Sequence, residues 1–166
     1  MPERAPDHVY VIYIAARPDA VWNGLFDRDM TKAYWAHYNL SDWTPGSRWE
    51  HVRSDESGTV DILGTVEDID PPRRLVISWA FPHDAQDEAK VSRVTFELTP
   101  LGPDARLTVI HSDLEPGSDM EKGVSDGWPA VLSNLKTLLE TGRPLSSDKW
   151  TSDSDEASPE SDAFKG

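Results

Sequence analysis

Alternation of apolar and polar positions predicts six β-strands along this chain. The first, over residues 8–15 (HVYVIYIA), is apolar on both faces, so we expect it at the centre of a sheet or covered on two sides. The others are predicted to run into His51, to span residues 59–69, and to alternate over residues 75–81, 94–98 and 107–111. Gly64, inside the third strand, predicts a bulge or a bend.

Apolar residues that recur every three or four positions predict two short helices after the first strand. Pro18 fits the first turn of the earlier helix, where the N–H that proline lacks would be unpaired anyway. The later helix is expected over about residues 29–38, which include Tyr34 and Trp35.

A long third helix is predicted over residues 119–141, followed by Gly142 as its C-terminal stop. It would be roughly 34 Å long, which is enough to cross a whole sheet. Pro129 is expected to kink this helix or to restart it, with Ser125 or Asp126 as the cap of the restarted part.

This element order predicts an α+β domain, because consecutive strands joined by short turns pair antiparallel and the closing helix must cover the apolar face of the sheet. We expect a curved six-stranded antiparallel sheet wrapped on the long C-terminal helix. The domain is predicted over residues 8–145, between a flexible N-terminus at 1–7 and a disordered acidic tail at 146–166. The tail has six acidic residues and two lysines, and too few apolar residues to offset its ordering entropy.

Charge and composition exclude several classes of partner. The 166 residues carry a formal net charge of −14, which repels nucleic acid and anionic lipid headgroups. No segment approaches the ~18 apolar residues of a membrane span, so no membrane insertion is expected and the cytoplasm is the expected location. The absence of cysteine excludes disulfides and thiol catalysis.

Large rings predict a pocket for a small hydrophobic ligand between sheet and helix, because eight of them are hard to close-pack in one small domain. Each single ring could equally belong to the core. With Leu132 on the long helix, the candidate apolar ligand-binding residues are Phe26, Tyr34, Trp35, Trp49, Trp79, Phe81, Phe96 and Trp128.

Two polar residues are further candidates. His111 could hydrogen-bond a ligand carbonyl or act as a general base, and a histidine satisfied within the core is the alternative. Arg48 could anchor a carboxylate or phenolate, and an exposed position on its strand is the alternative. No HxH or HExxH spacing and no catalytic motif occurs, so neither a metal nor a cofactor is expected.

The closing segment GWPAVLSNLK and LLETG, within residues 127–142, resembles the C-terminal helix of the bacterial activator of heat-shock protein 90 ATPase homologue-like proteins, in the SRPBCC or START-like superfamily. Three more segments resemble that family: IAARPDAVW at 14–22, LVISW at 75–79, and VTFEL at 94–98 with RLTVIH at 106–111. The resemblance spans about residues 9–144 and implies the helix-grip fold.

Several functions follow from this resemblance, since the superfamily includes lipid carriers, polyketide cyclases, co-chaperone domains and proteins that sequester natural products. Our leading hypothesis is binding of a hydrophobic or aromatic molecule, such as a polyketide-like metabolite or a lipid, without catalysis. The alternatives are a polyketide cyclase or aromatase with His111 as base, a co-chaperone-like domain that docks a protein partner, and a self-resistance protein against a toxic natural product. A homodimer is also an open expectation.

Overall fold

A computed structural model describes residues 4–146, which form one antiparallel sheet, three α-helices and two short 3-10 helices. The strands are β1 (His8–Ile14), β2 (His37–Ser41), β3 (Arg48–Arg53), β4 (Val60–Asp70), β5 (Arg74–Trp79), β6 (Ser92–Leu101) and β7 (Asp104–Ser112). The helices are α1 (Pro18–Gly24), α2 (Arg28–Trp35) and α3 (Asp119–Thr141), and the 3-10 helices are Pro82–Asp84 and Glu88–Lys90.

The sheet has the order β1-β7-β6-β5-β4-β3-β2, and every neighbouring pair is antiparallel. Strands β2 to β7 follow the chain, and β1 pairs with β7 at one edge. The long helix α3 packs against the sheet and against α1 and α2. The α+β helix-grip architecture predicted from the sequence is therefore confirmed.

The sheet has seven strands among the described residues, one more than predicted. The expected helix over 29–38 ends at Trp35, because Ala36 adopts a left-handed conformation with φ 61°. The chain then continues as β2, which pairs with β3. The added strand is an edge strand of five residues, too short and too mixed in polarity to give a clear alternation.

β1 lies at an edge of the sheet, so the prediction of a central or doubly covered strand is wrong. Its inward residues are half-buried or buried, but Val9, Val11 and Tyr13 are 57%, 48% and 57% exposed on the other face. Apolar residues on both faces of a strand therefore do not show that both faces are covered. One edge carbonyl is protected, since Lys136 Nζ donates to the Tyr13 carbonyl.

Gly64, at which the sequence predicts a bulge or a bend, marks a close approach of β4 and β5. A Cβ at this position would collide with the main-chain carbonyl of Ser78 on β5. The pairing of β4 with β5 also slips in register between Val66 and Asp68. Only glycine allows this close contact between the two strands.

α3 is one continuous helix, so the predicted restart at Pro129 is wrong. Its cap is Ser118 and not Ser125 or Asp126: Ser118 Oγ accepts from the Glu121 N–H at 3.1 Å. Pro129 lies inside the helix on its exposed side. Gly142, with φ 84°, ends the helix as predicted.

The ends of the predicted domain are described only in part. Arg4 donates to the carbonyls of Ala89 and Asp113, and the Ala5 N–H donates to the Leu114 carbonyl, so this part of the expected flexible N-terminus contacts the domain. The predicted acidic tail lies outside the described residues, except for Ser146. Within residues 4–146, no helix is long and apolar enough to cross a bilayer.

Candidate functional site

An aromatic cluster lies between α3 and the sheet. Trp35 ends α2, Trp79 ends β5, and Trp128 faces them from the middle of α3. The Trp35–Trp128 and Trp79–Trp128 ring centroids are both 5.6 Å apart, and the Trp35–Trp79 centroids are 6.3 Å apart. Trp49 and His51 of β3 extend the cluster toward the β2 edge. All five rings are buried.

These rings fill most of the space that the sequence predicted to be open. The cavity that remains beneath the first half of α3 has a volume of about 40 Å³, whereas pockets for drug-sized ligands measure about 300–1,000 Å³. Its walls are mostly apolar, and it is partly open to the surface. We call it the inner cavity; it is lined by Trp35, Ile62, Trp79, Phe81, Asp119, Met120, Gly123, Val124, Gly127, Trp128 and Val131.

Two glycines on α3 help to create this space, and the sequence interpretation missed them. Gly123 and Gly127 are four residues apart, so they lie on the same face of the helix and both line the inner cavity. A Cβ added at Gly123 would meet nothing within 4 Å. The signal was present in the sequence, because the glycines follow the same helical spacing as the apolar stripe around Trp128.

A second, wider cavity adjoins the inner one at the start of α3. It has a volume of about 370 Å³ and mostly polar walls, and the two share Phe81, Asp119 and Met120. We call it the vestibule; its other lining residues are His83, Asp84, Lys90, Ser92, Leu114, Glu115, Gly117 and Ser118. Phe81 and Met120 thus form the partition between an apolar chamber and a polar one.

His111 is held inside the protein by a chain of hydrogen bonds. Trp128 Nε1 donates to its Nδ1 at 3.0 Å, so the hydrogen of the neutral ring is on Nε2, which lies 2.8 Å from Ser92 Oγ. Ser92 Oγ donates in turn to the Trp79 carbonyl. Burial, the larger cause, and the nearby His8 together lower the pKa of His111 to about 3. A ring with no free lone pair cannot act as the general base proposed from the sequence.

A stacked histidine pair lies behind the inner cavity. The rings of His37 and His51 are parallel within 4° and 4.1 Å apart. His37 Nδ1 is 2.9 Å from the Trp35 carbonyl and Nε2 is 2.8 Å from Asp61 Oδ2, so both ring nitrogens contact an oxygen atom. Burial opposes the Asp61 charge, but hydrogen bonds from His37 and Arg53 outweigh it and lower the Asp61 pKa.

Several candidates from the sequence lie away from the inner cavity. Phe26 packs edge-on between Trp22 and Trp43. Tyr34 is buried and donates to the Gly24 carbonyl at 2.8 Å, and burial raises its pKa. Arg48 is 62% exposed and paired with Glu50, so it anchors no buried ligand. Trp35, Trp79, Phe81 and Trp128 are the candidates that the structure brings together.

The remaining apolar candidates belong to the core. Trp49 and Phe96 line a separate void of about 10 Å³, which is no larger than one water, and Trp49 Nε1 donates to the Ser78 carbonyl. Leu132 is buried one turn beyond Trp128 and does not line the inner cavity. Among residues 4–146, no three His, Asp or Glu side chains are grouped as metal ligands would be.

Solved structures with this architecture are similar over most of the chain. CalU16 from Micromonospora echinospora is 22% identical, with a TM-score of 0.64 over 98% of this chain and 90% of CalU16. The Aha1 dimer from Colwellia psychrerythraea is 20% identical, with a TM-score of 0.65 over 83% of this chain and 98% of that one. DynU16, from the dynemicin biosynthetic locus, is 22% identical, with a TM-score of 0.66 over 84% of this chain and 49% of DynU16.

The sequence itself gives a family assignment. No curated protein matches the chain significantly. The sequence profile described as "Activator of Hsp90 ATPase homolog 1-like protein" matches residues 15–140, which is most of the chain and runs from just after β1 to one residue before the end of α3. This chain therefore belongs to the Activator of Hsp90 ATPase homolog 1-like protein family.

Proposed function

We propose that this protein binds a small, flat, apolar molecule in the inner cavity beneath α3, without catalysis. The observation that carries the proposal is the lining: three indole rings and a row of aliphatic side chains meet around a space that opens to the surface. Indole faces favour planar aromatic ligands, because stacking adds to the gain from apolar burial.

Binding requires the partition between the two cavities to move, because the inner cavity alone is too small for such a ligand. Phe81 is half-buried and precedes the two 3-10 helices, and Met120 has a flexible side chain in the first turn of α3. With both displaced, the inner cavity joins the vestibule, and the combined space reaches the size of a ligand pocket. The apolar part of the ligand then occupies the inner end.

A binding role is favoured over a cyclase role by the state of His111. An aldol-type cyclisation needs a base that removes a proton from the substrate. Both nitrogens of His111 are already hydrogen-bonded inside the protein, and its pKa of about 3 makes it a weak base at neutral pH. The similarity to DynU16, from a biosynthetic locus, supports a natural product as the ligand over a lipid. Protective sequestration is one use of such binding.

The test compares two substitutions on adjacent residues of α3. Gly123→Leu places a side chain at the mouth of the inner cavity, whereas Lys122→Leu adds the same side chain at an exposed position outside it. Naphthalene is the probe, and equilibrium dialysis measures its dissociation constant. We expect the Lys122→Leu variant to bind like the wild type and the Gly123→Leu variant to bind at least about tenfold more weakly.

We expect Gly123→Leu to fold, because a Cβ at this position has space and replacing a glycine inside a helix favours the helix. Circular dichroism of both variants serves as the control for folding. Unchanged binding by Gly123→Leu, or no binding of naphthalene by the wild type, would overturn the proposed function.

A further inference from the structure

Two buried nitrogen atoms of the aromatic cluster have no hydrogen-bond partner. They are Nε2 of His51 and Nε1 of Trp79, the only such buried side-chain atoms in the part of the chain that the structure describes. The ring of His51 is fully buried, and that of Trp79 is 3% exposed. A buried polar atom without a partner is costly, so two of them on neighbouring rings point to a third group that satisfies both.

The hydrogen bonds of His51 decide what its free nitrogen can do. Its Nδ1 is 2.7 Å from Oδ1 of Asn39, whose amide group donates to the Leu25 carbonyl. The His51 Nδ1 therefore carries the hydrogen, and in the neutral ring Nε2 is an acceptor. Burial and the charge of His37 lower the pKa of His51, so the ring accepts a hydrogen bond without taking the proton.

The free nitrogen of Trp79 has the opposite character, because an indole N–H only donates. The His51 and Trp79 ring centroids are 5.7 Å apart, so one acceptor and one donor lie on neighbouring rings. Trp79 lines the inner cavity, and so does Ile62, which pairs with His51 across β3 and β4. Trp35, also in the lining, packs edge-on against His51.

We propose that the ligand carries a hydroxyl group that donates to His51 Nε2 and accepts from Trp79 Nε1. This inference rests on the proposed function and names the ligand class as a hydroxylated aromatic, such as a phenol. A hydroxyl both donates and accepts through one oxygen. A carboxylate or a ketone only accepts and would leave His51 unsatisfied, and an ammonium group only donates and would leave Trp79 unsatisfied.

Three probes of one shape test the hydroxyl on the wild-type protein. Naphthalene lacks a polar group, 2-methoxynaphthalene only accepts, and 2-naphthol donates and accepts. By equilibrium dialysis at pH 7, we expect 2-naphthol to bind about tenfold tighter than either of the others, since it satisfies both buried atoms. In ¹⁵N-labelled protein, 2-naphthol should shift the indole N–H resonance of Trp79, and naphthalene should leave it nearly in place.

A matched pair of variants assigns the preference to Trp79. Trp79→Phe removes the free N–H, and we expect the advantage of 2-naphthol to fall several-fold. Trp49→Phe removes an indole from the same cluster whose N–H already donates to Ser78, so the advantage should stay as in the wild type. If Trp79→Phe does not fold, the affinities of the three probes and the shift of the Trp79 indole resonance test the proposed hydroxyl group on the wild-type protein alone.

The outcomes separate this inference from the proposed function. Equal affinities for all three probes would overturn the proposal of a ligand hydroxyl group. They would show that water hydrogen-bonds to the two nitrogens, while the proposed binding in the inner cavity would stand. A 2-naphthol preference that Trp79→Phe leaves intact would also overturn it. Binding of no probe would overturn both.

Discussion

Three buried histidines differ in what their ring nitrogens contact. His37 contacts the Trp35 carbonyl through Nδ1 and Asp61 through Nε2. His111 and His51 are neutral, since burial disfavours their charged forms. The sequence predicted the alternatives for His111 but could not choose between them, because the choice depends on Trp128 and Ser92, which are 17 and 19 residues away.

The state of His111 predicts how stability depends on pH. Its pKa is about 3 in the folded protein and near 6.5 when unfolded, so the unfolded chain binds an extra proton between these values. The stabilisation is complete above pH 6.5 and is lost as the pH falls toward 3. When the pH falls from 7 to 5, this histidine alone should lower the free energy of unfolding by about 2 kcal/mol.

Urea unfolding at pH 7 and pH 5 measures this loss in the wild type and in His111→Gln, which cannot take up the proton. We expect the variant to lose about 2 kcal/mol less between the two pH values than the wild type does. His83→Gln, at an exposed position, serves as the control and should retain the dependence of the wild type. Equal pH dependence in all three proteins would show that His111 is not a buried neutral histidine.

Among the elements, α3 was predicted with the correct ends but with a restart that does not occur. Its apolar residues follow the helical period for six turns, and Gly142 is a strong stop, so its extent was visible in the sequence. Pro129 was expected to interrupt it, but a proline on the exposed side removes one N–H without unpacking the buried face. β2 was missed because α2 ends where Ala36 adopts a left-handed backbone conformation. Alanine gives no sequence signal for this conformation, so the end of the helix could not be predicted.

The cap at Ser118 should matter for both stability and binding. Its side chain satisfies the Glu121 N–H, and Glu121 Oε1 accepts from the Gly117 N–H in return. We expect Ser118→Ala to lower the unfolding free energy by about 1 kcal/mol in urea titrations. Because Asp119, Met120 and Gly123 follow directly and line the inner cavity, naphthalene binding should weaken as well.

Ser118→Thr is the matched variant, since it keeps the hydroxyl that accepts from Glu121. It should retain most of the stability and the affinity of the wild type. A Ser118→Ala variant with unchanged stability would mean that the first turn of α3 does not depend on this cap.

At the scale of the whole molecule, the sequence predicted the architecture better than the site. The order of the strands and the position of α3 follow from local periodicity, short turns and the need to cover one apolar face. How tightly the rings pack depends on contacts between distant residues, such as Trp35 with Trp128. The number of large rings therefore indicated a larger space than the inner cavity provides.

The central claim is that a planar apolar molecule occupies the inner cavity beneath α3. Nuclear Overhauser effects between bound naphthalene and ¹³C-labelled protein test it most directly. We predict contacts to the methyl groups of Ile62, Met120, Val124 and Val131, which line that cavity. Contacts confined to the exposed face of β1, at Val9 and Val11, would contradict the account.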